Sequence, residues 1–205
     1  MKRPRLKIVF TGYGGQGVLT ASQILGRAAA EAGCDVMVGQ LHGMSQRGGS
    51  VESTVLIGPG LSAHVAEGEA DVVLGFEPLE TLRSLPCMSD RTLVLMNIDR
   101  CMPQPLARSG APYPDLEGLL ERIRAVAGEL ILIDGPEIVR RAGAARTLNV
   151  ALLGALAGAR VLPFHEQALW RAVEQKSPER FREANRRAFE LGRQAACACS
   201  PEVRG

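Results

Sequence analysis

The chain has 205 residues, with 24 lysines and arginines against 22 aspartates and glutamates, and therefore a formal net charge of +2. This near balance argues against a protein dedicated to nucleic acid or to anionic membranes. A hydrophobic content of 46% predicts a folded globular protein rather than a disordered one. From the length we expect one domain over residues 1–205, with its core between 6 and 160 and C-terminal helices between 165 and 197.

The cysteines and the N-terminus indicate the compartment. An odd and scattered set of five cysteines predicts free thiols in a reducing environment: Cys34, Cys87, Cys101, Cys197 and Cys199. The N-terminal apolar run from Leu6 to Phe10 is too short for a signal peptide. A membrane span requires a run of about 18 apolar residues, and the sequence contains none. We therefore expect a cytoplasmic protein that does not contact a membrane.

The first third of the chain alternates apolar strands, a helix and glycine turns. A helix is predicted over Val18–Ala32, ended by Gly33, and a polar loop over Gln40–Gly49. Short β-branched runs predict strands at Leu6–Thr11, Val36–Val38 and Ser50–Ile57.

The remaining chain continues this alternation. Four prolines predict a long surface loop or lid over Arg100–Asp115, and a nearly all-apolar segment predicts a helix over Thr147–Arg160 that is buried or packed on a partner. Ser177 before Pro178 predicts the N-cap of a last helix that ends near Cys197. Further strands are predicted at Ala70–Phe76, Thr92–Met96 and Glu129–Ile133. This order is typical of an α/β three-layer sandwich with a largely parallel sheet.

A G-x-G-x-x-G motif lies between the first strand and the first helix, with glycines at Gly12, Gly14 and Gly17. Such a turn lets backbone N–H groups approach a phosphate at the helix N-terminus. The alternative is a turn needed only for tight strand–helix packing. Dinucleotide binding also requires an acidic residue at the end of the second strand. Here that strand ends at Gly39-Gln40 and Asp35 precedes it, which disfavours NAD and FAD.

A second glycine motif runs from His42 to Gly49 and combines the Ser45 hydroxyl, the Gln46 amide and the Arg47 guanidinium. A guanidinium can bind phosphate or carboxylate through two parallel hydrogen bonds. The alternative is a solvated loop. Because the motif follows the second strand, we expect it beside the first glycine turn.

Polar residues also stand at the ends of later strands. Glu77 either faces a ligand crevice at the sheet edge or caps the next helix. For Asp134 the cap is favoured, and Asn149 is expected to bond backbone at the start of the apolar helix. The cysteines and the histidines His42, His64 and His165 form no metal-ligand pattern. Anion-binding loops without a catalytic nucleophile suit a subunit that completes the active site of another chain.

Several of these residues together resemble the gamma domain of 2-oxoacid:ferredoxin oxidoreductases: Gly12–Val18, Ser45–Gly49, Glu77-Pro78, Asn149 and Leu153-Gly154. The resemblance extends from Leu6 to about Phe189. Many family members carry Glu-Met-Arg-Gly-Gly at the second motif, whereas this chain has Ser45-Gln46 before Arg47-Gly48-Gly49. That form resembles the small beta subunits of indolepyruvate-type enzymes.

The resemblance implies a heteromer that decarboxylates a 2-oxoacid oxidatively to an acyl-CoA. A large alpha subunit would carry thiamine diphosphate, Mg²⁺ and [4Fe–4S] clusters, ferredoxin would accept the electrons, and coenzyme A would be the co-substrate. This chain alone would bind no cofactor and no nucleic acid. Residues assigned by the resemblance to ligand contact are Gly12, Gly14, Gly15, Gln16, Gly17, Ser45, Gln46, Arg47, Gly48 and Gly49.

Arg47 and Glu77 are the candidates for a catalytic role in this chain. Two other functions stay open. One is a stand-alone nucleotide-binding module that uses the first glycine turn. The other is a purely structural partner subunit, in which the apolar helix over Thr147–Arg160 forms the interface.

Overall fold

The computed structural model describes residues 5–42, 49–60 and 64–198 of the chain. A six-stranded sheet is built from β1 (Leu6–Tyr13), β2 (Val36–His42), β3 (Ser50–Ile57), β4 (Val72–Gly75), β5 (Leu93–Asn97) and β6 (Glu129–Ile133). Their order across the sheet is β2–β3–β1–β4–β5–β6. Strands β1, β4, β5 and β6 pair in parallel, whereas β3 runs antiparallel to both β1 and β2. The predicted α/β architecture is confirmed, with β3 reversed in an otherwise parallel sheet.

Helices cover both faces of the sheet. They are α1 (Val18–Glu31), α2 (Pro78–Arg83), α3 (Gln104–Ser109), α4 (Leu116–Arg124), α5 (Gly135–Ala142), α6 (Leu148–Gly158), α7 (Glu166–Lys176) and α8 (Arg182–Cys197). Alternation along β1 directs Ile8 and Phe10 to the side of α1, α6 and α8, and Val9 to the side of α4. Two apolar cores therefore lie on opposite faces of the sheet.

Glycines allow α6 and α8 to pack backbone against backbone. A β-carbon on Gly154 would overlap the Phe189 carbonyl, one on Gly158 would overlap that of Arg193, and one on Gly192 would overlap that of Ala151. The apolar helix α6 is buried from Val150 to Gly158 as a result. Within the described chain α8 covers this helix, so the proposed interface role of α6 is wrong.

Most predicted elements differ from the structure by one or two residues at an end, and three differences are larger. Strand β2 continues to His42, so the loop begins later than Gln40, because Leu41 and His42 still pair with Glu52 and Val51 of β3. The predicted loop over Arg100–Asp115 contains the short helix α3, where Pro105 falls in the first turn and costs no hydrogen bond.

Ser177 was expected to cap the last helix, and this is wrong. It follows the end of α7, where its hydroxyl donates to the Val173 carbonyl at 2.7 Å and accepts from Asn185 Nδ2 at 2.7 Å. Helix α8 begins only at Arg182, after a 3₁₀ turn over Glu179–Phe181. Ser177 therefore joins α7 to α8 instead of starting α8.

Candidate functional site

The first glycine motif is a tight turn between β1 and α1. Gly15 and Gly17 have φ values of 107° and 87°, which side chains disfavour. Gly17 is also the N-cap of α1 and provides no side chain to bond the first helical N–H groups. This end of a 14-residue helix therefore presents unbonded backbone donors.

Two of the amides in this turn are already used inside the chain. Gly14 N donates to the Gly49 carbonyl at 2.9 Å, and Gln16 N donates to the Tyr13 carbonyl at 3.1 Å. The N–H groups of Gly15, Gly17 and Val18 have no acceptor among the described residues. These three amides, and not those of Gly14 and Gln16, can bind an anion.

A cavity of about 350 Å³ adjoins the turn and is lined by Gly15, Gly17, Leu19, Thr20 and Val51, among others. Thr20 lies in the first turn of α1 and adds a hydroxyl to the backbone donors. The sequence reasoning missed Thr20. Its position three residues after the last glycine of the motif is the signal that could have indicated it.

The second glycine motif is described only at its ends. The hydrogen bond between Gly14 and Gly49 shows that the end of the second motif at Gly49 lies beside the first motif, as expected. Ser45, Gln46, Arg47 and Gly48 lie outside the described residues. Their assignment to ligand contact stays a prediction.

Gln16 directs its side chain into the protein. Its Oε1 accepts from Tyr13 N at 2.7 Å and its Nε2 donates to the Phe76 carbonyl at 3.3 Å. Asn97, which is fully buried at the end of β5, donates from Nδ2 to the same carbonyl at 2.9 Å. The glycine turn is thereby connected to the ends of β4 and β5.

Glu77 is fully buried at the N-terminus of α2 and is its N-cap. Oε2 accepts from Glu80 N at 2.9 Å, and Oε1 accepts from the Tyr113 hydroxyl and from Cys101 N. Burial raises the pKa of Glu77, and these hydrogen bonds partly oppose that rise. Of the two predicted roles, the helix cap is confirmed.

A second buried carboxylate, Glu80, was missed from the sequence. It accepts from the Ser50 hydroxyl and pairs with Arg83 at 2.6 Å. Burial, together with the neighbouring Glu80, raises the pKa of Tyr13. Glu77, Glu80, Tyr13 and Tyr113 form a polar layer on the α2 side of the sheet edge.

The other two polar residues singled out in the sequence, Asp134 and Asn149, bond the backbone. Asp134 caps α5, since its Oδ1 accepts from Glu137 N at 3.0 Å, as predicted. Asn149 Oδ1 accepts from Val150 N at 3.0 Å. Asn149 also lies against Gly17, where an added β-carbon would be 3.0 Å from its side chain.

Metal ligands do not cluster in the described part of the chain. No three histidine, cysteine, aspartate or glutamate side chains there lie close enough to hold a metal ion. The donor set therefore does not fit an iron–sulfur cluster among these residues. None of the described helices is both long enough and apolar enough to span a bilayer.

The sequence is similar to those of known proteins over most of its length. Residues 7–195 match the family model described as pyruvate ferredoxin/flavodoxin oxidoreductase. The chain is 38% identical over 189 residues to the indolepyruvate oxidoreductase subunit IorB of Methanothermobacter thermautotrophicus, covering 92% of this chain and 96% of the relative. It is 40% identical over 191 residues to the IorB subunit of Thermococcus kodakarensis, covering 92% and 95%.

Solved structures share the fold. The gamma subunit of a keto/oxoacid ferredoxin oxidoreductase from Geobacter sulfurreducens superposes with a TM-score of 0.68 at 23% identity, covering 94% of this chain and 99% of that one. A 2-oxoglutarate:ferredoxin oxidoreductase from Magnetococcus marinus, solved with 2-oxoglutarate, coenzyme A and succinyl-CoA, gives 0.73 at 18% identity. The match covers 97% of this chain but 32% of that larger one.

Proposed function

Because the chain belongs to the pyruvate ferredoxin/flavodoxin oxidoreductase family and is a small subunit of a 2-oxoacid:ferredoxin oxidoreductase, we propose that it completes an active site whose redox cofactors lie on the large subunit. The reaction is the oxidative decarboxylation of indolepyruvate or a related aryl pyruvate to its acyl-CoA. Thiamine diphosphate, Mg²⁺ and [4Fe–4S] clusters on the partner supply the carbon and electron chemistry. Ferredoxin accepts the electrons, and the complex works in the cytoplasm.

The observation that carries this proposal is the unbonded N-terminus of α1. Gly15 and Gly17, whose N–H groups are free among the described residues, line one cavity together with Thr20, which adds a hydroxyl. Neutral donors at a helix N-terminus favour a phosphate group. Coenzyme A carries phosphates, so we assign this cavity to its anionic part.

The choice of substrate rests on the relatives. Subunits that are 36–40% identical over most of their length are named for indolepyruvate, whereas a gamma subunit named for pyruvate and ketoisovalerate is 28% identical. The higher identity supports an aryl 2-oxoacid. Arg47 is the side chain that we propose to hold a coenzyme A phosphate or the substrate carboxylate.

The test uses the complex reconstituted with its large subunit. Thr20→Val removes the hydroxyl without changing the shape of the side chain, and Thr20→Ser keeps the hydroxyl as the matched control. We expect Thr20→Val to raise the KM for coenzyme A about 5- to 10-fold, because it removes one hydrogen bond to an anion. The KM for the 2-oxoacid and the amount of assembled complex should not change.

Arg47→Ala tests the second motif, and Arg122→Ala on the exposed side of α4 is its control. We expect Arg47→Ala to raise the KM for coenzyme A or for the 2-oxoacid. Unchanged KM values and unchanged turnover in both Thr20→Val and Arg47→Ala would overturn the proposal. Altered assembly with unchanged kinetics would favour a purely structural subunit. A large thermal stabilisation of the isolated chain by NAD or FAD would favour a stand-alone nucleotide-binding module.

A further inference from the structure

The carbonyl oxygen of Phe76 accepts hydrogen bonds from two side-chain amides that lie far apart in the sequence. Gln16 Nε2, from the glycine turn, lies 3.3 Å away, and Asn97 Nδ2, from the end of β5, lies 2.9 Å away. Phe76 is fully buried, and so is Asn97. A buried carbonyl needs at least one donor, and this one is bonded through both of its lone pairs.

The chemistry of its neighbours determines the orientation of the Gln16 amide. Tyr13 N is a donor and requires an acceptor, which Oε1 provides at 2.7 Å. The NH₂ group is then left facing the Phe76 carbonyl, which requires a donor. Gln16 therefore spans from the end of β1 to the end of β4 with both halves of its amide used inside the chain.

Asn97 extends the same connection to the last strand. Its Oδ1 accepts from Gly135 N at 3.2 Å and from Asp99 N at 3.3 Å. Gly135 is the first residue of α5. Two side-chain amides thus tie together the segments that follow β1, β4, β5 and β6 at one edge of the sheet.

Two glycines make room for this arrangement. A β-carbon on Gly12 would lie 2.6 Å from Phe76 Cβ and 2.7 Å from Gln16 Oε1. A β-carbon on Gly135 would overlap Asn97 Oδ1 and lie 2.7 Å from Leu148 Cδ1. Phe76, the inward-facing Gln16 and Val18 therefore leave no room for a side chain at the first glycine of the motif.

We propose that Gln16 and Asn97 are positioning residues, which through the shared Phe76 carbonyl hold the glycine turn in the shape that leaves the Gly15, Gly17 and Val18 amides free for an anion. The effect on catalysis rests on the proposed function of this turn; the effect on the turn itself does not. Gln16 acts on the ligand only through the backbone. A turn that is fixed before the anion arrives loses little conformational entropy on binding.

Gln16→Glu is the decisive variant. The carboxylate has nearly the same shape and still accepts from Tyr13 N, but it cannot donate to the Phe76 carbonyl. Gln23→Glu, on the exposed side of α1, introduces the same charge nearby and is the matched control. Hydrogen exchange of the backbone amides over residues 12–20 is measured in the isolated chain, and steady-state kinetics in the reconstituted complex.

We expect Gln16→Glu to accelerate exchange of the hydrogen-bonded amides of the turn, those of Tyr13, Gly14 and Gln16, by about tenfold, which corresponds to the loss of one hydrogen bond. Gln23→Glu should leave their exchange unchanged. The KM for coenzyme A should rise by about the same factor, with the KM for the 2-oxoacid unchanged. Unchanged exchange would overturn the positioning role. Faster exchange with an unchanged KM for coenzyme A would support the positioning role and reject the coenzyme A assignment, so the two failures are distinguishable.

Asn97→Asp tests the shared acceptor. It removes the second donor but keeps the Oδ1 acceptor for Gly135 N and Asp99 N. Each variant alone leaves the Phe76 carbonyl with one donor, and only the double variant leaves it with none. Exchange over residues 12–20 should therefore accelerate in the double variant by more than the product of the two separate factors. A simple product would show that the two amides act independently and would overturn the shared connection.

Discussion

The hydroxyl of Tyr113 donates a hydrogen bond to Oε1 of Glu77, 36 residues earlier in the chain. The same hydroxyl accepts from Leu79 N at 3.1 Å. Tyr113 therefore bonds both the cap of α2 and the first turn of that helix. This contact fastens the segment between β5 and α4, predicted as a loop or lid, to the edge of the sheet beside the glycine turn.

Tyr113→Phe should destabilise the protein by about 1–3 kcal/mol, because it leaves Leu79 N without its acceptor and Glu77 with one donor fewer. The free energy of unfolding from chemical denaturation measures this loss. In a chain that already carries Glu77→Gln the same change should cost less, since the two residues share one contact. Equal costs in both backgrounds would contradict the coupling.

Glu77 makes the stability of the protein depend on pH. Burial raises its pKa above the usual value of 4.5, so the folded state holds the proton more tightly than the unfolded chain. The stability due to this proton is fully present below pH 4.5 and is lost as the pH rises through the pKa of the folded state. The wild-type protein should therefore lose stability relative to Glu77→Gln as the pH rises.

Denaturation curves of both proteins at several pH values measure this difference. Burial also raises the pKa of Glu52, but Glu52 is present in both proteins, so its contribution cancels in the difference. Glu77→Gln should be less stable than the wild type at low pH, because one half of the new amide is a donor facing Cys101 N, itself a donor. If the wild type instead gained stability relative to Glu77→Gln as the pH rises, the folded state would prefer the ionised carboxyl group.

The glycines between α6 and α8 give a third prediction. Gly154→Ala places a methyl group against the backbone carbonyl of Phe189, which cannot rotate away, and should cost about 2–4 kcal/mol. Gly118→Ala on α4 is the matched control, because its β-carbon would meet only Asp115 Oδ2 at 3.7 Å. That substitution should stabilise the protein by about 0.5–1 kcal/mol through helix propensity. Similar effects of the two substitutions on the midpoint of thermal unfolding would contradict the close packing.

The sequence predicted the fold well where local pattern and tertiary pairing agree. Strand β3 and strand β6 have the predicted bounds, Ser50–Ile57 and Glu129–Ile133. The reversal of β3 was not predicted, because a strand has the same alternation in either direction. The last helix was placed too early because Ser177-Pro178 is a good local cap signal, but tertiary contacts with Val173 and Asn185 use the Ser177 hydroxyl instead.

The site was predicted at the level of its motifs. The end of the second glycine motif at Gly49 lies beside the first motif, as expected, and the family indicated by their combination is confirmed. The roles of individual groups could not be predicted, because they depend on contacts between distant residues. Gln16 was assigned to ligand contact by its place in the motif, yet its amide is taken up by Tyr13 and Phe76. No local pattern connects Glu77 to Tyr113.

The backbone conformation of Arg160, just after the end of α6, gives a further prediction. Among the described residues other than glycine it alone has a positive φ, 56°. A side chain in this conformation costs about 1–2 kcal/mol, whereas glycine adds about 0.5–1 kcal/mol of chain entropy to the unfolded state. Relief of the strain is the larger effect, so Arg160→Gly should raise the free energy of unfolding by up to about 1 kcal/mol.

Arg160→Ala separates this strain from the loss of the side chain. Alanine keeps the β-carbon and removes the guanidinium, whose one hydrogen bond among the described residues is to Cys197 Sγ at 4.0 Å. It should therefore leave stability nearly unchanged, and the difference between the glycine and alanine variants measures the cost of the β-carbon. Because both variants lack the guanidinium, any role of its charge cancels in that comparison. Equal stability of the two variants would mean that this turn tolerates a side chain without strain.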